Sequence, residues 1–142
     1  MVRVVVAGAC GRMGTAVIHV LELIEGIELA GALERDGYPC LGHDPGSRSP
    51  IGEKGIPVVS EHSSLPSSFD VLIDFTDPVG TLQNAEYSAD AGIPLVSGTT
   101  GLNEEQKEAL VMFAKRTPVV HAPNMSVGVN LLFKLASTAA SA

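Results

Sequence analysis

Three glycines spaced three apart, Gly8, Gly11 and Gly14, follow the short apolar run Val2 to Ala7 and lead into an amphipathic stretch that continues to Leu23. Strand, tight turn and helix N-terminus in that order bring backbone N–H groups together, and such a place attracts an anion, a phosphate above all. Each glycine has a mechanical job. Gly8 turns the chain sharply out of the strand, Gly11 lets N–H groups approach a pyrophosphate, and Gly14 allows the helix to pack closely on the strand. The spacing is G-x-x-G-x-x-G, a weak signature when it stands alone. A second apolar run, over residues 27–33, strengthens it by ending at Glu34, about 20 residues beyond the last glycine, where a carboxylate can accept the ribose hydroxyl hydrogens of an adenosine. Arg35, next in the chain, carries the planar fork of donors that suits a 2′-phosphate. The pair suggests a site that takes either NADH or NADPH, with an exposed loop arginine as the plain alternative for Arg35; Arg12, inside the turn, either closes over the pyrophosphate or projects into water, and its place between Gly11 and Gly14 favours the first.

Further loops carry the same kind of residue. Thr76-Asp77, Gly98-Thr99-Thr100-Gly101 and Ala122-Pro123-Asn124-Met125-Ser126 each come after a short apolar run. Small hydroxyl and amide side chains such as Thr99, Thr100 and Asn124 suit a nicotinamide ribose and carboxamide, although each would also serve an ordinary turn. Of the four histidines, His19 falls in the first helix and His43 and His62 in loops. His121, at a strand end, is the one expected near the binding rim, in a structural role. Lys134 reads as a solvated residue of the last helix.

The elements that must hold these loops are set by periodicity. Runs at residues 56–59, 71–75, 94–97 and 118–121 read as strands. Helical spacing runs from Pro78 to about Ala91, stopped by Gly92; from Asn103, with its acidic first turn, to about Arg116; and from Val129 to Ala139. Strands alternating with helices predict a doubly wound parallel sheet with helices on both faces, an α/β fold of Rossmann type. In such a sheet the carboxyl ends of the strands share one edge, so all the special loops fall on one rim. Residues 36–55, rich in Gly, Pro and Ser, are expected to make a long surface excursion.

Composition sets the outer limits. The chain has 142 residues, 45% hydrophobic with only 4% aromatic and no Trp, so the core is built from Val, Leu, Ile and Ala under one sheet. A formal charge of −7 argues against nucleic acid or an anionic membrane as partner. No stretch approaches the length of a membrane span, and no leader precedes the first strand. Cys10 and Cys40 read as two isolated thiols, neither a disulfide framework nor a metal ligand set, and fit a reducing cytoplasm.

Taken together, the loops resemble one family, 4-hydroxy-tetrahydrodipicolinate reductase (dihydrodipicolinate reductase) of the diaminopimelate route to lysine. The matching pieces are Gly8 to Gly14, Ala32-Leu33-Glu34-Arg35, Ile73-Asp74-Phe75-Thr76 with Pro78 and Gly80, Gly98 to Gly101, and Ala122 to Asn130. The resemblance implies reduction of a cyclic imine-type dicarboxylate by NADH or NADPH, and a homotetramer. It also implies cofactor contacts at Gly8, Ala9, Cys10, Gly11, Arg12 and Met13 for the pyrophosphate, Glu34 for the ribose and Arg35 for the 2′-phosphate. Gly98, Thr99, Thr100, Ala122, Pro123, Asn124 and Met125 fall at the nicotinamide end, and Thr76 is a further contact. Asp77 stands where some members have a basic residue, which speaks against a strong NADPH preference, and Met125 where many have Phe.

Members of that family continue into a second domain whose Glu-Gly-His-His stretch, Lys and Asp-Ala-Pro-Ser-Gly-Thr segment supply the proton donor and hold the substrate. The 142 residues contain none of these. The resemblance therefore implies a nucleotide-binding domain over 1–126, the start of a connecting helix over 127–142, no catalytic residue in the chain, and no turnover by the chain alone. Two other readings stand beside this one: a nucleotide-binding or sensing module acting through partners, and a related dehydrogenase acting on aspartate or homoserine. The ending Ala139-Ala140-Ser141-Ala142, without a helix stop signal, speaks for an interrupted chain against the first. The match from Gly98 through Asn130 speaks against the second.

Overall fold

A computed structural model describes residues 1–48 and 52–141. Six strands, β1 (Val2–Ala7), β2 (Ile27–Leu33), β3 (Val58–Val59), β4 (Val71–Asp74), β5 (Leu95–Ser97) and β6 (Val119–His121), form one sheet in the order β3-β2-β1-β4-β5-β6 with every pairing parallel. Four helices, α1 (Arg12–Leu21), α2 (Pro78–Ala91), α3 (Glu104–Phe113) and α4 (Val127–Ala140), alternate with them. The expected doubly wound α/β sheet is the one observed. Strand order reverses at β1, whose neighbours are β2 on one side and β4 on the other, which opens a crevice above the carboxyl ends of these strands.

The centre of the sheet is buried on both faces because β1 alternates between two cores. Val5 and Ala7 pack with Leu72, Ala85, Leu95 and Leu110, while Val4 and Val6 pack with Ile18, Leu21, Leu29 and Val58. A period of two along a continuous apolar run therefore places one set of side chains under α2 and α3 and the other under α1.

Helix boundaries are set by local chemistry. Asp77 caps α2 by accepting the Val79 and Gly80 N–H groups at 3.0 and 2.9 Å, Pro78 opens the helix, and Gly92 closes it in the left-handed conformation at φ 69°. Asn103 and Gln106 form a reciprocal capping box at the start of α3. That helix ends at Phe113, three residues short of the expectation, and residues 114–116 continue as turns. Helix α4 begins at Val127 instead of Val129, because Ser126 acts as its cap. None of its residues is buried.

The excursion after β2 is better organised than its composition suggests. Asp44 accepts N–H bonds from Gly46, Lys54 and Ile56 at 2.8, 2.9 and 3.0 Å, a short 3-10 turn spans Pro45–Arg48, and Lys54 pairs with Glu22 beyond α1. A carboxylate gathering backbone donors replaces the missing apolar period. Residues 49–51 of this excursion lie outside the described residues.

Candidate functional site

At the reversal point a cleft of about 720 Å³ opens between the glycine turn and the loops after β2, β3 and β4. Gly8, Gly11, Glu34, Arg35, Tyr38, His62, Thr76, Asp77 and Asn84 are among its walls.

The glycine turn is sterically committed. Gly8 leaves β1 at φ +75°, and a Cβ on Gly14 would stand 2.0 Å from the Gly8 carbonyl oxygen. The jobs expected of Gly8 and Gly14 are therefore the ones observed. Gly11 has its own N–H engaged within the turn. Its N–H bonds the Gly8 carbonyl at 3.0 Å, the Gly8 and Ala9 N–H groups both reach Leu33 O, and the Cys10 N–H donates to Glu34 Oε2 at 3.1 Å. The first bond of α1 is Thr15 N–H to Gly11 O. The N–H groups of Arg12, Met13 and Gly14 precede it, so the donors aimed out of the turn belong to the first turn of the helix.

Glu34 lies at the end of β2, buried, with Oε1 accepting the Arg35 N–H at 3.1 Å and Oε2 the Cys10 N–H. Each carboxylate oxygen keeps a further lone pair for a ligand hydroxyl. Arg35 is exposed at the mouth of the cleft, its guanidinium 5.3 Å from the centre of the Tyr38 ring, an arrangement that holds a planar cation ready for an anion.

The cysteine expectation is corrected. Cys10 and Cys40 form a disulfide, with Cα atoms 6.6 Å apart. The pairing was not legible because 30 residues separate them, and only the parallel pairing of β1 with β2 brings the turn after one strand beside the loop after the other. The bond ties the phosphate-type turn to the excursion and removes the argument for a reducing compartment that rested on free thiols. The two sulfurs and a Glu34 carboxylate oxygen lie within 4.8 Å of one another, but sulfurs bonded to each other are not thiolate ligands.

A second centre lies under the cleft, built on an acid to which the sequence reading gives no role of its own. Asp74, fully buried at the end of β4, accepts five side-chain bonds: from Thr76 Oγ1 at 2.5 Å and Asn84 Nδ2 at 2.9 Å on one oxygen, and from Thr81, Ser97 and Thr99 hydroxyls at 2.7, 2.7 and 3.1 Å on the other. The Thr76 N–H in turn donates to Thr99 Oγ1 at 3.1 Å. A buried carboxylate satisfied by five donors locks the exits of β4 and β5 to α2. The signal was a single acid inside the apolar run Val71 to Phe75, with hydroxyl and amide residues at helical spacing after it.

This network changes the part assigned to Thr99. Its hydroxyl, expected to line the nicotinamide end, is turned into the Asp74 cluster and buried. Thr76 likewise spends its hydroxyl proton on Asp74 while remaining on the cleft wall. Gly98 is required by packing: a Cβ there would meet the Phe75 ring at 2.1 Å. Thr100 is exposed.

The remaining residues sit on the same strand-end rim, beside the cleft walls named above. Ala9 is buried beneath the turn, and Arg12 and Met13 are exposed at the start of α1. In the segment after β6, Asn124 accepts the Ser126 N–H at 2.8 Å and its carbonyl is held by Asn130, Ala122 is half-buried, and Pro123 and Met125 are exposed. His121 bonds the Thr99 carbonyl at 3.0 Å, the structural part expected of it. Against the expectation that His121 alone of the histidines comes near the rim, His62 also reaches it: it lines the cleft, stacked on Tyr87 with ring centres 4.5 Å apart. Its contact with α2 is long-range, so no local pattern marked it.

Residues 2–125 match the family model described as dihydrodipicolinate reductase, N-terminus. The chain belongs to that family. Among the relatives that this N-terminal unit resembles are the 4-hydroxy-tetrahydrodipicolinate reductases of Anaeromyxobacter sp. (strain Fw109-5), 45% identical over 99% of this chain and 52% of the relative, and of Citrifermentans bemidjiense, 42% identical over 95% and 51%. Of solved structures, dipicolinate-bound dihydrodipicolinate reductase from Paenisporosarcina sp. TG-14 superposes with a TM-score of 0.76 at 29% identity, over 99% of this chain and 54% of that one. The chain thus spans about half the length of the reductases it matches. The Rossmann-type fold is that of the family's N-terminal part, and no described helix is long and apolar enough to cross a membrane.

Proposed function

We propose that the chain is the cofactor-binding half of an enzyme that reduces 4-hydroxy-tetrahydrodipicolinate to tetrahydrodipicolinate, in the diaminopimelate branch of lysine biosynthesis, using NADH or NADPH. The observation that carries the reading is the cleft at the reversal of strand order, walled by the glycine turn on one side and by Glu34 and Arg35 on the other. The cradle fits a dinucleotide: side chains at Gly8 or Gly14 would collide with backbone, the first N–H groups of α1 are unspent, and an acid and a base stand side by side at the end of β2.

The roles divide along the rim. Backbone donors of Arg12, Met13 and Gly14, with the Arg12 guanidinium, hold the pyrophosphate. Glu34 accepts ribose hydroxyls and Arg35 pairs with a 2′-phosphate when there is one. Gly98, Thr99 and Thr100 and the segment Ala122 to Met125 position the nicotinamide end, and the Asp74 cluster keeps the first of these loops in register with Thr76. When bound, the cofactor supplies the hydride. Residues 1–126 act as the nucleotide-binding domain, and residues 127–142 open the helix towards a substrate-binding region that contributes the proton donor and carboxylate contacts. A homotetrameric, cytoplasmic enzyme acting on a small dicarboxylate completes the proposal.

Binding of NADH or NADPH to the folded chain raises its melting temperature. Glu34→Ala is expected to weaken NADH more than NADPH, and Arg35→Ala the reverse, each by about 1–2 kcal/mol. Titration calorimetry reads the split, and equal losses for both cofactors would remove the assigned roles.

A further inference from the structure

We propose that His62 is a specificity-determining residue of the cleft, presenting a hydrogen-bond acceptor to the 2′ position of the adenosine ribose and so favouring NADH over NADPH. The proposal rests on the cofactor reading above.

Three observations lead to it. The first is position. Leu33 of β2 pairs with Val59 of β3, and the Glu34 N–H donates to the Val59 carbonyl at 2.9 Å. The chain leaving β3 towards His62 therefore starts beside Glu34 and Arg35, and the His62 ring shares the cleft with both.

The second is orientation. The ring lies against Tyr87 at an interplanar angle of 23°, and Nε2 stands 2.8 Å from Asn84 Oδ1. A ring held by a stack and a hydrogen bond lines the cleft in a fixed orientation.

The third is the proton. Asn84 Nδ2 donates to Asp74 Oδ1 at 2.9 Å. The Asp74 oxygens collect donors only, from Thr76, Thr81, Ser97 and Thr99 besides, so the amide NH₂ of Asn84 must face Asp74 and its carbonyl must face His62. An amide carbonyl cannot donate, and Nε2 therefore carries the hydrogen. In the neutral ring, Nδ1 is then left with a lone pair, and no hydrogen bond to it forms among the described residues. A buried carboxylate two side chains away has fixed the tautomer of a cleft-wall histidine.

A lone pair at that place distinguishes two ligands. A ribose 2′-hydroxyl can donate to it, whereas a 2′-phosphate offers mainly acceptor oxygens and is opposed by it. Arg35, on the same cleft, acts in the contrary direction. The balance between His62 and Arg35 sets the preference.

The test measures dissociation constants of NADH and NADPH for the wild-type protein and two variants. His62→Phe keeps the ring stack and removes both nitrogens; it is expected to weaken NADH about 5-fold, the worth of one hydrogen bond, and to leave NADPH within about 2-fold. His62→Arg replaces the acceptor by a cation and is expected to tighten NADPH while weakening NADH. Circular dichroism and melting curves verify that both variants fold, and the two substitutions must move the ratio of constants in the same direction. Equal weakening of both cofactors by both variants, or an unchanged ratio, overturns the role of His62. Failure of the wild-type protein to bind either cofactor overturns the underlying reading instead, so the two failures are told apart.

Discussion

Asp74 shows how much one side chain can organise. It is wholly buried and its partners come from α2, from the exits of β4 and β5 and from the loops beyond them, so removing its charge disturbs several elements at once. Asp74→Asn would turn an NH₂ group towards hydroxyls that are already donating, and at least two bonds would be lost or reversed. The expected cost is about 3 kcal/mol, read as a lower urea midpoint at unchanged slope. A loss below about 1 kcal/mol would show that the cluster rearranges around the amide. In the sequence the same residue is part of a family motif with no role of its own. An acid within an apolar strand run is a visible anomaly, yet its partners lie up to 25 positions away and only the folded chain collects them.

Between β2 and β3 the decisive feature is a loop ordered by polar contacts. Burial alone would raise the Asp44 carboxyl, but N–H bonds from Gly46, Ile56, Lys54 and Gly55 outweigh it and hold the group below its ordinary value of 3.8. A carboxyl whose folded value is depressed stabilises the fold at every pH above its unfolded value and loses that contribution as pH falls through the folded one. The stability difference between wild type and Asp44→Asn should therefore be constant at neutral pH and shrink below about pH 4. Urea unfolding across that range measures it. A difference that grows on acidification would contradict the assignment. Composition correctly marked this stretch as irregular; it did not show the anchor, because a carboxylate bonding backbone N–H groups leaves no periodic trace. The opposite holds for α2, where Asp77, Pro78 and Gly92 announce start and stop in the sequence and the structure uses them for those purposes.

For the molecule as a whole, the contrast is between a sheet whose central strands are buried on both faces and a last helix with no buried residue. Leu132, Phe133 and Leu135 of α4 are 62%, 60% and 58% exposed, an apolar surface of the kind that marks an interface. Within these 142 residues, Leu132→Gln and Leu135→Gln are expected to change unfolding free energy by less than about 0.5 kcal/mol. Thermal melts of the single variants check this, and a loss above about 1 kcal/mol would mean that the helix packs on the sheet in solution. Under the proposed domain arrangement the same face meets the region beyond it in the longer protein, where the substitutions become costly.

Local chemistry carried the individual strands and helices, the glycine turn and the caps of α2 and α3, because each depends on residues within one turn or one strand of each other; the order of those elements along the chain then carried the parallel sheet and the acid at the end of β2. The tertiary structure alone decided the Asp74 cluster, the arrival of His62 on the cleft, the Cys10–Cys40 bond and the inward turn of the Thr99 hydroxyl. Each of these joins residues more than twenty positions apart. Which of them meet is fixed by strand order and by which face of the sheet each crossover covers, and neither quantity is written in any single window of the chain.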